Sequence, residues 1–175
     1  MKKLKKASLL AAVLLAASLF SGCGEETTEI MGFKEISADG HAYDLFVPDE
    51  WVLNTSTGVT SAYDANDRSN VSVTVCEVKS DITTIDALWA ANEPTLKAAF
   101  TDFEYICNGV ETKLDGVIAK EYIYTGTMAD ETYTQRQIIA LHEGYFYTFT
   151  YTAFSEKYEE HTEDIQAILG YFTFN

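Results

Sequence analysis

The ten residues Gly144-Tyr145-Phe146-Tyr147-Thr148-Phe149-Thr150-Tyr151-Thr152-Ala153 constrain the fold more than any other stretch of the chain. Aromatic side chains at 145, 147, 149 and 151 alternate with Phe146, Thr148, Thr150 and Thr152. A period of two is that of a strand. Nearly all of these residues are aromatic or β-branched, types that suit a pleated and at least half-buried surface, so the segment is expected to be a central strand of an antiparallel sheet. The sequence after residue 33 is expected to pair with that sheet or to cover it.

The neighbouring segments supply the partners. Phe33 to Ile36, a turn at Asp39-Gly40, and Ala42 to Val47 read as a first hairpin that Pro48 ends. Trp51 and Val52 then pack over a sheet edge or end. Ser61 to Tyr63, a polar tip from Asp64 to Ser69, and Asn70 to Val78 read as a second hairpin, with Val71, Val73 and Val75 on one face directed at the core. Tyr105 to Lys113, Asp115-Gly116, and Val117 to Thr125 form a third, Asp-Gly being a strong turn signal. Gly126 to Asp130 turns the chain into Glu131 to Leu141, and His142-Glu143-Gly144 returns it through the aromatic strand. The succession is a meander of neighbouring antiparallel strands.

Two segments change to helical periodicity. Between Ile82 and Phe103 the residues Ile85, Leu88, Trp89, Asn92, Leu96, Phe100 and Phe103 follow a helical face, capped at Thr83 or Thr84 with Asp86 in the first turn. Pro94 lacks an amide hydrogen and predicts a kink or restart near Asn92. A last helix is expected from an N-cap at Ser155, along Tyr158, His161, Ile165, Ile168, Leu169 and Phe172, with Gly170 at its C′ position. The expected fold is therefore α+β, an antiparallel meander with helices packed on its faces, in one domain from 33 to 175.

The start of the chain has a different character. Met1-Lys2-Lys3-Leu4-Lys5-Lys6 is a cationic leader before an apolar run from Ala7 to Phe20. As a helix that run would reach about 21 Å, short of the roughly 30 Å hydrocarbon slab, which points to a cleaved secretory signal over residues 1–22. Phe20-Ser21-Gly22-Cys23 resembles the lipobox of bacterial lipoproteins, with Phe20 where leucine is usual. The resemblance implies that Cys23 is modified with diacylglycerol and becomes the new N-terminus, two acyl chains being enough for stable anchoring. Residues 23–32, rich in Glu and Thr, are expected to be a flexible tether.

Charge and cysteines narrow the function further. Four of the 12 basic residues and none of the 27 acids fall within residues 1–22, so the remaining chain holds eight basic residues against 27 acids, formally −19. Such a domain is repelled by nucleic-acid phosphates and by anionic headgroups, and no nucleic-acid partner is expected. Export would permit a disulfide between Cys76 and Cys107, though each cysteine could equally be a small buried apolar side chain. There is no Gly-x-Ser-x-Gly elbow, and His41, His142 and His161 lie at a hairpin, a turn and a helix, so no triad is visible. No zinc-ligand spacing, phosphate loop or dinucleotide fingerprint occurs, and no cofactor is expected. The acidic tip Asp64, Asn66, Asp67 and the helix acids Glu160 and Asp164 are the only candidates for a weak hard-cation site, and solvated acid is the simpler reading of both. Eleven tyrosines, with their apolar bodies and polar tips, are candidates for core or for a recognition surface.

Tyr43 to Val47 running into Pro48 and Trp51, Asn70-Val71-Ser72-Val73, the Trp89 helix, Leu114-Asp115-Gly116 followed by Ala119, and Gly144-Tyr145-Phe146-Tyr147 before a terminal helix resemble the PsbP-like fold. The resemblance covers residues 33–174 as a pattern of elements. It implies an antiparallel sheet between helices, in a group that contains an extrinsic photosystem II protein, bacterial lipoproteins and a Ran-binding nuclear-transport protein, and it transfers no catalytic or metal residue. The expected function is a lipid-anchored extracytoplasmic module that binds an envelope protein partner and catalyses nothing. The alternative is a small-ligand or cation-binding lipoprotein with an aromatic-lined pocket.

Overall fold

The computed structural model describes residues 30–37, 42–54 and 59–175. The signal segment, Cys23, most of the tether, the Asp39-Gly40 turn and His41 lie outside the described residues. The elements run β1 (Phe33–Glu35), β2 (Tyr43–Asp44), β3 (Phe46–Pro48), β4 (Val52–Leu53), β5 (Thr60–Tyr63), β6 (Asn70–Glu77), α1 (Ile85–Ala99), β7 (Thr101–Leu114), β8 (Val117–Met128), β9 (Glu131–His142), β10 (Tyr145–Phe154), a one-turn 3-10 helix Tyr158–His161, α2 (Thr162–Tyr171) and β11 (Thr173–Phe174).

The aromatic ribbon is the middle strand of a seven-stranded sheet of order β4-β5-β6-β10-β9-β8-β7, antiparallel throughout. Strand alternation sends Tyr147, Phe149, Tyr151 and Ala153 to one face and Phe146, Thr148, Thr150 and Thr152 to the other. The first face is covered by α2 and by the segment from Tyr43 to Trp51. There Phe149, Leu45, Val47 and Ile168 are fully buried, with Trp51, Tyr151 and Phe172 nearly so. Each of these large side chains contributes about 1.5–3 kcal/mol by leaving water. The second face carries α1, whose Leu88 and Trp89 close over Tyr122, Tyr124, Ile139 and Phe146. Three tight turns join the meander: Asp115-Gly116, Ala129-Asp130 and Glu143-Gly144 all have positive φ at both residues, the geometry that matches strand twist.

Several expectations are corrected. Residues 30–32, placed in the tether, form a turn fixed to the domain: Phe33 N–H donates to Ile30 O and Asp49 N–H to Gly32 O, each at 3.0 Å. β1 does pair with β3, but the pair is a separate ribbon, and β2 pairs instead with the unforeseen β11. Helix α1 runs through Pro94 and stops at Ala99, from a Thr84 cap whose hydroxyl accepts Ala87 N–H at 3.1 Å. Phe103 therefore belongs to β7, although its ring packs on the α1 cluster that its helical spacing suggested. Gly126 lies inside β8, because a Cβ there would come within 2.6 Å of Phe100. Ser155 caps no helix; its hydroxyl meets Thr134 Oγ1 at 2.9 Å, and α2 starts at Thr162 without a side-chain cap and contains Gly170. Val75 is 42% exposed, since β5 pairs with β6 only as far as Val73.

Candidate functional site

Helix α1 covers only part of its face. Where it ends, the sheet presents rows of neutral polar side chains set directly opposite one another across the strands: Ser61, Ser72, Thr150 and Gln137 on β5, β6, β10 and β9, and beside them Tyr63, Asn70, Thr152 and Gln135. The first row, with Tyr63 and Asn70 of the second, floors a trough with two lobes. One, of about 710 Å³, is lined by Asn54, Ser61, Tyr63, Arg68, Asn70, Ser72 and Thr74 among others. The other, of about 350 Å³, runs beneath α1 between Thr74, Gln137, Thr148 and Thr150 on the sheet and Leu88, Trp89, Asn92 and Leu96 on the helix. Thr74 belongs to both. Neither lobe is lined by an aspartate or glutamate, and Arg68 is the one charged residue that lines either.

The wall formed by α1 is fixed by polar contacts. Trp89 stacks on Tyr122 with centroids 3.8 Å apart, and its indole N–H donates to Tyr105 Oη at 3.2 Å. Tyr105 in turn donates to Glu93 Oε1 at 2.6 Å, and Glu93 accepts Lys97 Nζ at 2.8 Å. Burial, reinforced by Glu93, pushes the Tyr105 phenol up to about 12. Burial does the same for Tyr122, also to about 12. Both remain neutral at physiological pH, so they hold position and do not exchange protons. Tyrosines are core here: Tyr43, Tyr122, Tyr124, Tyr147 and Tyr151 are each at most 2% exposed. The expected aromatic pocket is thus a mixed one, hydroxyl and amide groups set among aliphatic carbon, with Tyr63 and Trp89 its only aromatic lining among the described residues.

On the other face of the sheet the two acidic candidates for a cation site come together around an internal partner. His161 Nε2 lies 2.9 Å from Asp67 Oδ2, its Nδ1 lies 3.2 Å from Asp164 Oδ2, and Trp51 meets the imidazole edge-on at 5.6 Å. Asp64 and Asp67 also accept backbone N–H groups, from Asn66 at 2.6 Å and Ser69 at 2.8 Å. Burial alone would lower the His161 pKa, but Asp67 and Asp164 outweigh it and raise it. Glu160 is engaged by Lys157 at 2.8 Å. Among the described residues no group of three or more His, Cys, Asp or Glu side chains is placed to hold a metal ion. These acids fasten the β5–β6 loop to α2.

The possible Cys76–Cys107 bridge is corrected. Both thiols are free, on β6 and β7, four strand steps apart, or about 19 Å. Cys76 stands opposite Phe146 and Cys107 opposite Ile123, so the two project from opposite faces of the sheet. Cys76 is also exposed, contrary to the buried alternative. His142 stacks on Phe174 at 4.4 Å. Cys23 and His41 lie outside the described residues. The trough itself was missed in the sequence, although its signal was there: the threonines of 148, 150 and 152 occupy one parity of the strand and the rings of 147, 149 and 151 the other.

A seven-stranded antiparallel sheet with a helix on each face, and a trough left open beside α1, defines an α+β protein of two helices packed on one main sheet. Residues 31–174 match the PsbP family, and the chain belongs to it. The solution structure of cyanobacterial PsbP, CyanoP, from Synechocystis sp. PCC 6803 superposes with a TM-score of 0.60 at 18% identity, covering 89% of this chain and 99% of that one. LpqN of Mycobacterium tuberculosis, involved in cell envelope biogenesis, gives 0.61 at 18% identity over 82% and 91% of the two chains. The Ran-binding protein Mog1p of Saccharomyces cerevisiae gives 0.56 at 10% identity over 83% and 96%. At these identities the likeness is one of fold. No curated protein matches the chain in sequence.

Proposed function

We propose that this protein is a lipid-anchored, extracytoplasmic binding module of the cell envelope that engages its ligand through the open half of the α1 face and catalyses nothing. The observation that carries the reading is the trough: polar side chains in register over four strands, in a fold whose other sheet face is filled by core. The lipobox-like Cys23 supplies the anchor, and the cell-envelope role of LpqN, a protein of the same fold, supports the location. The titratable groups favour binding over chemistry, because His161 is held between two carboxylates and the buried phenols are raised out of the working range. A protein partner, the expectation from sequence, has a separate place to dock. Ile106 and Val110 are 64% and 56% exposed on β7, an edge strand, and exposed edges and apolar residues invite contact.

Two experiments test the reading. Cys23→Ser is expected to release the protein from membranes or block its maturation; retention after a carbonate wash would remove the anchor. A photo-crosslinking residue at Thr150 is expected to capture a ligand in intact cells, whereas one at Lys113, on β7, reports the edge. Capture from the edge alone would move the binding surface away from the trough.

A further inference from the structure

We infer that the trough binds an extended glycan, whose hydroxyls lie along the cross-strand polar rows and whose anionic substituent meets Arg68; this rests on the open face being the binding surface. The first ground is charge. In a chain with 27 acids against 12 basic residues, a 19-residue lining without one carboxylate is a selected environment. It suits a ligand that is neutral or sparsely anionic. Arg68, at the rim, makes no ion pair among the described residues, leaving its guanidinium fork open to a carboxylate.

The second ground is unspent hydrogen-bonding capacity. Ser72, Thr74, Gln137, Thr148 and Thr150 have no side-chain hydrogen bond among the described residues, and none is a buried orphan. Their polar atoms face water. Hydroxyls and primary amides both donate and accept, which is what sugar hydroxyls require of a site.

Spacing is the third ground. Ser61, Ser72, Thr150 and Gln137 step across adjacent strands about 4.8 Å apart, close to the advance of one pyranose ring. An extended peptide advances about 3.3 Å per residue, or about 6.6 Å between side chains on one side, and falls out of phase within two strands. Nor can it add as a strand over β10, β9 or the Asn70–Val73 part of β6, whose backbone groups are spent on both sides in the ladder. Tyr63, half-buried beside Arg68 in the lining, offers a ring for the apolar side of a sugar.

The test uses the full-length lipoprotein in detergent micelles, titrated by calorimetry with xylohexaose, which is neutral, and with a xylo-oligosaccharide bearing one glucuronate, which carries a single carboxylate. Saturable binding is expected for at least the uronate. Thr150→Val with Gln137→Leu should weaken it at least about tenfold, two hydrogen bonds being lost, without lowering the melting temperature. Arg68→Gln should remove the preference for the uronate over the neutral sugar. Absence of binding by both sugars up to millimolar concentration, or binding indifferent to these substitutions, would overturn the glycan. If a crosslinker at Thr150 then still captures a protein in cells, the glycan fails while the open-face reading stands; if it captures nothing, both fail.

Discussion

Replacing Gly126 by alanine tests the packing between α1 and the sheet. Gly126 lies in β8, and an added Cβ would stand 2.6 Å from Phe100 Cβ, 2.8 Å from its Cγ and 3.0 Å from its Cδ1. The obstructing atom is not the far end of a flexible side chain. It is the first carbon of the residue that ends α1, whose N–H is bonded to Leu96 O at 3.3 Å. Relief therefore requires the end of α1 or the β8 backbone to move. In the unfolded chain alanine has less freedom than glycine, which favours the variant by about 0.4–1 kcal/mol. Overpacking costs about 1–3 kcal/mol. The second effect wins, leaving a net loss of about 1–2 kcal/mol and a fall in Tm of about 3–6 °C for a domain of this size. Gly170→Ala is the matched control: it sits in α2 with nothing within 4 Å of the added carbon, so helix propensity should stabilise it by up to about 1 kcal/mol. Urea and thermal melts, followed by circular dichroism and by the fluorescence of Trp89 in the affected cluster, read both. An unchanged or raised Tm for Gly126→Ala would refute the packing argument, and Phe100→Leu should not rescue it, since leucine keeps the same Cβ.

Three further outcomes are expected. The folded pKa of His161 is raised above its ordinary 6.5, so its stabilising contribution is full below 6.5 and lost as pH rises through the folded value. That of Asp67 is lowered below 3.8, despite burial, by Ser69 and His161, so its contribution is full above 3.8 and lost as pH falls through the folded value. Stability should therefore peak between these limits, and His161→Gln should flatten the alkaline side in urea titrations at stepped pH. Pro94→Ala should raise Tm by several degrees, because an interior proline costs a helix about 3 kcal/mol against a gain of at most about 1 kcal/mol from stiffening the unfolded chain; a lower Tm would show that the ring is needed where it stands. Cys76 and Cys107 should both react with a thiol reagent without prior reduction, Cys76 faster because it is exposed, and an equal or reversed order would contradict the assigned faces.

The meander was legible because its information is local. Asp115-Gly116 and Glu143-Gly144 announce reversals, and two-residue alternation runs unbroken through Val71 to Val75 and Tyr145 to Thr152. What escaped was set by contacts distant in sequence. The pairing of Thr173 with Asp44 has no signature in either segment. Gly126 resembles a turn residue until Phe100 is placed above it, and Pro94 resembles a break until the helix is seen to bury Leu88 and Trp89 on one side and leave the proline exposed. The candidate site was half readable. The Thr-Thr-Thr parity of the aromatic ribbon marks a polar face, but only the length of α1 decides how much of that face stays open. The acids at 64, 67 and 164 were visible as candidates, whereas the imidazole that joins Asp67 to Asp164 spans 94 positions between Asp67 and His161.

The place of β10 between β6 and β9 also sets an order of events. The edge of β6 that faces β10 must wait through α1, β7, β8 and β9 before its partner is made, so Val71 and Val73 stay uncovered while three hairpin-linked strands assemble nearby. Joining of the two halves is a late, long-range step, and such closures are slow. A chain that has not reached residue 145 is therefore a pair of incomplete sheets with open edges. It is in that interval, whether on the ribosome or in passage across a membrane, that a chaperone would find this polypeptide most in need of a hold.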